Sequence, residues 1–197
     1  MDVIEAIHGR RSIRTYRPDP VNRTLIEDLI WAAVQAPTPP VSGDTPWAFC
    51  VIEGVNRLAG YGARAKQYAL EHQPEGGRWT WPDKPGFKVF WDAPVLILIC
   101  GQRGNNEAAF DCCRAGQNLM LAAYARGLGS CWLGAPLPWL TSPGIANELG
   151  VPADFDPIVA LVLGHPAEVP AGNPRTRPVI HWLPFRAGQT KSDHPGS

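Results

Sequence analysis

The run Ala93-Pro-Val-Leu-Ile-Leu-Ile-Cys100 constrains the fold of this 197-residue chain more than any other segment. It falls far short of the ~20 apolar residues that a membrane-spanning helix requires. A short uninterrupted apolar run is typical of a strand that is buried on both faces. The run therefore predicts a fully buried strand in a single domain, because the chain is long enough to bury a real core but too short for several domains.

Several further elements are predicted around this strand. Helices are predicted from Val3 to Gly9, Asn22 to Ala36, Val55 to about His72, Glu107 to Arg126 and Ile145 to Leu149. Asn22 or Thr24 is expected to cap the second of them. Further strands are predicted over Trp47–Ile52, Ser130–Leu133 and Ile158–Leu163, with an edge strand over Val179–Trp182. Without regular βαβ alternation, this order favours an α+β domain in which helices cover a central sheet.

Two proline-rich segments are predicted to be irregular. Residues 36–46 cannot be helical, because their prolines lack amide donors and restrict the residues before them. Residues 73–85 surround Trp79 and Trp81 with prolines and glycines, which indicates a loop or lid.

The helix predicted over 107–126 is apolar nearly all round. Its small residues form a stripe of Ala109, Cys112, Cys113, Gly116, Met120 and Ala123. Leu119, Ala122 and Tyr124 extend the apolar character around the cylinder. Such a helix is buried, and in a domain of this size the burial favours contact with a second chain, with an ordinary intrachain core as the alternative.

Two basic clusters could form one anion site. Lys+Arg and Asp+Glu are 18 each, so no overall positive field would attract nucleic acid. The first cluster is Arg10-Arg11-Ser12-Ile13-Arg14, and in an extended segment residues 10, 12 and 14 share one face. The second cluster is Arg175-Thr-Arg177. If both lie at the same end of the sheet, their guanidinium groups and Ser12 could hold a phosphate dianion; otherwise they are solvated surface.

Other chemistries find little support in the sequence. There is no P-loop and no GxSxG motif, and the glycines of residues 127–134 lack the spacing of a dinucleotide fingerprint. The histidines lack the spacing of a metal site. Five cysteines without CxxC spacing, together with no apolar leader, predict a cytoplasmic protein with reduced thiols. A cationic site poor in acid–base groups suits a cofactor that carries the reaction.

Taken in order, several segments of residues 1–182 resemble the FMN-dependent nitroreductase family. The first are residues 10–16, Pro18-Asp19-Pro20, Leu25-Ile26 and Ala36-Pro37. The later ones are residues 92–98, 115–123, 127–134, 160–166 and 174–178. Each motif alone has low specificity, and the specific signal is that they occur in the same order as in the family.

The resemblance implies an α+β fold with a mostly antiparallel central sheet flanked by helices. It also implies a homodimer formed through long central helices, with two FMN molecules at the interface. Residues 1–182 would be the FMN-binding domain and residues 183–197 a C-terminal tail. With the chemistry centred on the flavin, no side chain is expected to act as a catalytic acid or base. The histidine spacing, the balanced charge and the short apolar run predict no metal, nucleic acid or membrane.

The family's cofactor contacts carry over to particular residues of this chain. By resemblance, the ribityl phosphate contacts fall on Arg10, Ser12, Arg175 and Arg177, with Arg11 in the same cluster. Arg14 would lie near the pyrimidine edge of the flavin, where a positive group favours reduction. The backbone amides of Leu133 and Gly134 would face the N5 side, unless these residues merely begin a strand. Gln67 would contact the isoalloxazine, with an exposed helix position as the alternative.

The activity that the resemblance implies is hydride transfer from NADH or NADPH to a small electrophilic acceptor, such as a nitroaromatic or a quinone, by a ping-pong mechanism. One segment departs from the family pattern. Ser42-Gly-Asp-Thr45 stands before Pro46-Trp47, where relatives commonly carry an Asn-x-Gln pair. An aspartate near the flavin would disfavour its anionic reduced form. A specialised reaction on the same fold, or a non-catalytic flavin-binding protein, therefore remains an alternative.

Overall fold

An antiparallel sheet of four strands forms the centre of the computed structural model, which describes residues 1–75, 79–142 and 144–183. In spatial order the strands are β1 (Trp47–Glu53), β2 (Val95–Gln102), β4 (Phe155–Gly164) and β3 (Gly129–Leu133). All three strand pairs are antiparallel. The buried strand predicted from the apolar run is β2, whose residues from Val95 to Gly101 are all buried.

The helices cover both faces of this sheet. They are α1 (Val3–Gly9), α2 (Arg23–Ala33), α3 (Val55–Glu71), α4 (Ala108–Ala125), α5 (Leu137–Leu140) and α6 (Ile145–Glu148). Successive side chains of a strand point to opposite faces. Leu96 and Leu98 accordingly pack in the core shared with α3 and α5, whereas Ile97 and Ile99 pack in the core shared with α2 and α4. The α+β class and the helix-covered sheet predicted from the sequence are confirmed.

Local signals fix the beginnings of the first two helices. Asp2 and Glu5 form a capping box on α1, and Asn22 caps α2 by accepting from the Thr24 amide at 2.8 Å. The cap predicted at Asn22 is confirmed. Helix α2 ends at Ala33, earlier than the predicted Ala36, because a residue that precedes a proline disfavours the helical conformation.

The largest other differences from the sequence prediction concern β4, two short helices and the C-terminal segment. Strand β4 begins at Phe155 rather than Ile158, because residues 155–157 pair with the end of β2 beyond a register shift. The prediction that residues 36–46 cannot be helical is wrong at Pro40–Ser42, a short 3₁₀ helix that proline tolerates at its first position. Helix α5 was not predicted. The edge strand predicted over Val179–Trp182 is wrong. Residues 179–182 are exposed and form no strand, and no backbone pairing with a strand is present there.

Helix α4 is not buried all round within the single chain. It packs against α2 and the sheet, and it leaves Ala109, Phe110 and Cys113 exposed. The intrachain core therefore accounts for only part of its apolar surface. Described residues 73–75 and 79–85 form turns and irregular backbone, as predicted. Within the described ranges, no helix combines the length and the apolar character needed to cross a membrane.

Candidate functional site

The first basic cluster leaves α1 and runs beside the start of β3. Ser12 forms a parallel bridge with Ser130, and the Ile13 amide donates to the Ser130 carbonyl at 3.0 Å. Ile13 is buried and lies directly on Gly129, where a Cβ atom would be 2.7 Å from Ile13 Cγ1. Because Ile13 points inward, Arg14 is directed to the surface, as the alternation in an extended segment predicts.

Tyr16 fixes the backbone that carries Arg14. Its buried hydroxyl donates to the Ile13 carbonyl at 2.7 Å. Burial raises the pKa of Tyr16 well above its usual range, so the phenol remains protonated and keeps donating. The Arg17 amide donates to the His165 carbonyl, and the Thr15 carbonyl accepts from Ala167, both at 2.9 Å. The segment is therefore held on both sides of Arg14.

In the part of the chain that the structure describes, Arg11, unlike the other arginines of this cluster, donates hydrogen bonds to backbone carbonyls. Its guanidinium donates to the carbonyls of His8 at 2.6 Å and Arg10 at 2.9 Å. The same guanidinium lies so close to Gly172 that a side chain at position 172 would collide with it. Arg11 thus connects the end of α1 to the segment that leads to the second basic cluster.

The two basic segments form the walls of one depression, which we call the cationic groove. Residues from Ile7 to Arg14 line one wall and residues from Pro170 to Arg175 line the other. Its volume is about 760 Å³, and none of its lining residues is acidic. The structure thus brings Arg10, Arg11, Ser12, Arg14 and Arg175 together, although the two clusters lie far apart in the sequence.

The donors of the cationic groove fit a phosphate-bearing cofactor. Arg10 is half-buried, and its Nε atom is buried without a hydrogen-bond acceptor among the described residues. Buried donors normally have acceptors, so an unpaired guanidinium nitrogen is consistent with an anionic ligand in this groove. Ser12, Arg14 and Arg175 add further donors around the same space.

A thiol lies beneath this cluster but does not take part as a nucleophile. Cys131 is buried next to Ser130 on β3 and forms a side-chain hydrogen bond with Ser12. Burial raises the pKa of the Cys131 thiol, and the positive charge of Arg14 opposes this only in part. The thiol therefore stays protonated at neutral pH.

Four other predicted site residues do not line the cationic groove. Arg177 is exposed and lies beyond Arg175. Gln67 is exposed on α3, where its amide donates to Glu71 at 2.5 Å. Leu133 is buried at the end of β3. Gly134 follows it, and no neighbouring atom lies within 4 Å of where its Cβ would be. The roles expected of these four residues stay predictions.

A second groove adjoins the first at Arg14. It has a volume of about 240 Å³, and Trp91, Lys88 and Asp92 lie along it. Sequence reasoning missed Trp91 in this wall and Asn173 in the cationic groove. Asn173 could have been found, because it stands two residues before Arg175 in the same motif. No sequence motif points to Trp91, because its place in the wall of the second groove depends on the backbone turn that carries it.

The segment that departs from the family pattern is anchored to α4. Ser42 is buried, and its hydroxyl donates to Asp111 at 2.5 Å while accepting from the Asn105 amide at 3.3 Å. Arg114 donates to the other oxygen of the Asp111 carboxylate at 2.8 Å. Asp44 and Thr45 are exposed, and neither lines the cationic groove. Ser42 therefore anchors this segment to α4, while Asp44 and Thr45, which belong to the segment where relatives carry amides, lie outside the cationic groove.

Comparison with known proteins identifies close similarity to one family. The model of the nitroreductase family matches residues 7–165. A Methanothermobacter thermautotrophicus protein that carries the name of an NADH dehydrogenase/NAD(P)H nitroreductase is 34% identical over 182 residues, which cover 90% of this chain and 82% of that protein. Bacillus subtilis YfhC, named as an NAD(P)H nitroreductase, is 27% identical, with coverage of 87% and 88%.

Solved structures of the same fold are also similar. A Bacteroides fragilis nitroreductase with bound FMN matches with a TM-score of 0.76 at 22% identity, covering 98% of this chain and 100% of that one. A Desulfitobacterium hafniense nitroreductase with bound FMN matches with a TM-score of 0.78 at 20% identity, covering 93% and 99%. At these identities the likeness establishes the fold.

Proposed function

Because the chain belongs to the nitroreductase family, we propose that it is an FMN-dependent oxidoreductase that uses NADH or NADPH. Its acceptor is a small electrophile such as a nitroaromatic or a quinone. The observation that carries this proposal is the cationic groove, which brings Arg10, Ser12, Arg14 and Arg175 together and whose own lining contains no acidic residue.

The residues divide into phosphate ligands and a ring contact. Arg10, Ser12 and Arg175 bind the phosphate of FMN, and Arg177, two residues after Arg175, completes the set. Arg11 supports the groove wall through its bonds to His8 and Arg10. Arg14 lies at the pyrimidine edge of the ring, the amides of Leu133 and Gly134 face its N5 side, and Gln67 contacts it from α3.

FMN supplies the two-electron redox chemistry when it is bound. Arg14 contributes positive charge where reduction adds negative charge, which favours the uptake of electrons. No acid of the chain is needed. Tyr16 and Cys131 lie near the groove, but burial raises the pKa of each and both hold their protons. Protons come from solvent, and donor and acceptor occupy the same open side in turn, which gives ping-pong kinetics.

The active form is a homodimer with a site at each end of the interface. Support comes from apolar side chains that a single chain leaves exposed. Val3, Ile4 and Ile7 on α1 are 61%, 54% and 50% exposed, and Phe110 on α4 is 58% exposed. Large exposed apolar side chains on two helices that contact each other favour an interaction surface. Residues 1–182 form the cofactor-binding domain; of the tail 183–197, residues 184–197 lie outside the described residues. A cytoplasmic location fits the free thiols.

The absorption spectrum and FMN affinity of the purified protein test the cofactor. We expect visible flavin absorption and tight FMN binding. Replacing Arg10 by Ala should weaken binding by about 1.5–3 kcal/mol, because charge-assisted hydrogen bonds are lost. Arg57→Ala removes an exposed arginine of α3 outside the groove and serves as the matched control. No flavin uptake by the wild-type protein, or equal affinity of the Arg10→Ala and Arg57→Ala variants, contradicts the assignment.

Anaerobic stopped-flow spectroscopy tests the reaction. NADH or NADPH should bleach the flavin absorbance, and a nitroaromatic or quinone should restore it without a ternary complex. Double-reciprocal plots of the steady-state rate against nucleotide concentration, at several fixed acceptor concentrations, should then give parallel lines. A flavin that neither nucleotide reduces would favour a specialised reaction or a non-catalytic role for the protein.

A further inference from the structure

Arg14 makes a specific contact with an aromatic ring. Its guanidinium carbon lies 5.7 Å from the centroid of the Trp91 ring, within the range of a cation–π interaction. Arg14 is exposed, and no carboxylate pairs with it among the residues that the structure describes. Asp92 lies along the same second groove but forms its ion pair with Lys88. The Trp91 ring is therefore the contact that restrains the Arg14 side chain.

The backbone turn that carries Trp91 is unusual. Trp91 and Asp92 have φ values of 56° and 55°, so two consecutive residues that are not glycine adopt the left-handed conformation. Bulky residues rarely adopt it, because Cβ then crowds the carbonyl oxygen that follows. Such conformations persist only where the surroundings determine them, and they are concentrated at functional sites.

The surroundings determine this turn from both sides. Val89 and Phe90 before it and Ala93 after it are buried. The Trp91 amide donates to the Lys88 carbonyl at 3.2 Å, and the Ala93 amide donates to the Phe90 carbonyl at 3.0 Å. The core and two backbone hydrogen bonds thus fix where the Trp91 side chain begins.

A second aromatic ring fixes the orientation of Trp91. Phe87 meets the indole edge-on, with ring centroids 5.0 Å apart, and Trp81 lies 5.7 Å from Phe87. The indole is half-buried within this cluster. A ring held by the core on one side and open to Arg14 on the other provides a rigid platform for the guanidinium.

We propose that Trp91 is a positioning residue, which holds the guanidinium of Arg14 at the junction of the cationic groove and the second groove. The proposal rests on the proposed function, in which Arg14 contacts the FMN ring. An exposed arginine otherwise spreads over many rotamers, and ordering it on binding costs affinity. By restricting Arg14 before FMN arrives, Trp91 raises FMN affinity and keeps the positive charge where reduction adds electrons.

Trp91→Asn provides the sharpest variant. Asparagine tolerates the left-handed conformation, so this change removes the ring while the turn remains accessible. We expect FMN to bind roughly two- to tenfold more weakly, the range of a cation–π contact. We also expect the midpoint potential of the bound FMN to become more negative. Trp91→Phe keeps an aromatic face and should retain most of the affinity and the potential.

A double-mutant cycle with Arg14→Met separates positioning from a general effect on the fold. If Trp91 acts through Arg14, Trp91→Asn changes neither FMN affinity nor potential in the Arg14→Met background. Tyr61→Leu is the matched control, because Tyr61 lies 5.6 Å under another arginine, Arg64, which is itself paired with Glu148. It should leave the FMN affinity unchanged.

The outcomes distinguish this proposal from the proposed function. Equal losses of affinity on Trp91→Asn in the wild-type and Arg14→Met backgrounds would mean that Trp91 acts independently of Arg14, and would overturn the positioning role while FMN binding stands. An unchanged potential in a Trp91→Asn variant that folds would overturn it as well. Absence of FMN binding by the wild-type protein would overturn both proposals.

Discussion

At the scale of single residues, the groove depends on a close approach that only glycine allows. Ile13 occupies the space over Gly129, and this contact turns Arg14 and Ser12 toward the groove. On the opposite wall, the Arg11 guanidinium lies where a Cβ atom at Gly172 would be, but it is the end of a flexible side chain and could move aside. The absence of a side chain at position 129 therefore shapes a site whose chemistry comes from arginines.

Replacing Gly129 by Ala should disturb both stability and cofactor binding. The added Cβ would lie 2.7 Å from Ile13 Cγ1, so Ile13 and the basic segment must shift. We expect a loss of about 1–3 kcal/mol in the free energy of unfolding, as for other overpacked cores, together with weaker FMN binding. Chemical denaturation and FMN titration measure the two effects.

Gly60→Ala is the matched control for this change. Gly60 lies within α3, and its Cβ would meet no atom within 4 Å. Alanine there should stabilise the chain by about 0.5–1 kcal/mol, because it favours the helical backbone. A Gly129→Ala variant as stable as Gly60→Ala would contradict the close packing of Ile13.

Ser42 illustrates a residue whose importance is structural. Replacing it by Ala removes the hydroxyl that donates to the fully buried Asp111 carboxylate at 2.5 Å. Losing a donor to a buried charge should cost about 1–3 kcal/mol of stability, measured by urea denaturation. Thr45→Ala, an exposed change in the same segment, should cost much less. Equal stabilities for the two variants would exclude an anchoring role for Ser42.

At the scale of elements, Arg64 connects α3 to α5 and α6. Its guanidinium donates to both oxygens of Glu148 on α6, at 2.6 and 2.7 Å. It also lies 5.4 Å from the ring centroid of Trp139 on α5. A bidentate pair combined with an aromatic contact positions three helices with one side chain. The short helices α5 and α6 lack a side-chain cap at their N-termini, so this contact adds to their stabilisation.

This connection predicts a pH dependence of stability. The hydrogen bond from Arg64 holds the pKa of Glu148 below its usual range. The unfolded chain therefore binds the proton first, and the pair stabilises the fold fully only above the unfolded value of ~4.3. Its contribution is lost as the pH falls through the lower folded pKa. We expect Glu148→Gln to be slightly less stable than the wild type at pH 7, and the difference to shrink below pH ~4.

Urea midpoints measured between neutral and acidic pH test this expectation. Glu27→Gln, which removes an exposed carboxylate of α2, provides the baseline for losing one negative charge. A wild-type advantage over Glu148→Gln that stays constant as the pH falls would exclude the proposed coupling.

An element was predictable where its apolar residues form a run or recur at a regular spacing along the chain. The apolar run predicted β2, and the small residues predicted α4 with ends close to those observed. The 3₁₀ helix at Pro40–Ser42 and helix α5 were missed because each is short and has proline in its first turn, and proline argues against a helix in a sequence pattern. The edge strand at 179–182 failed for a different reason. A strand needs a neighbour, and β propensity in a segment does not say whether one is present.

At the scale of the whole molecule, the site was predictable where one motif holds its residues and not where distant segments meet. Arg10, Ser12 and Arg14 share one face because the chain is extended there, which the sequence indicates. The contact between Arg14 and Trp91 requires two left-handed residues without a glycine, and no local pattern predicts such a turn. Tertiary packing decides it.

The exposed apolar surface is also a property of the whole molecule, because a single chain does not cover it. Phe110 lies on α4 with 58% of its surface exposed, and Ile7 on α1 lies next to the cationic groove. If a second copy covers these side chains, it also closes the site. Replacing Phe110 by Glu would then bury a charge without a partner at the interface, which is strongly unfavourable.

We therefore expect Phe110→Glu to shift the protein from dimer to monomer and to weaken FMN binding. Light scattering after gel filtration reports the mass, and FMN titration of the same sample reports the site. Leu70→Glu alters a residue of α3 that is 43% exposed and should leave both unchanged. A Phe110→Glu protein that remains dimeric would show that this part of α4 lies outside the interface. A monomer that binds FMN as tightly as the wild type would mean that one chain forms the complete site.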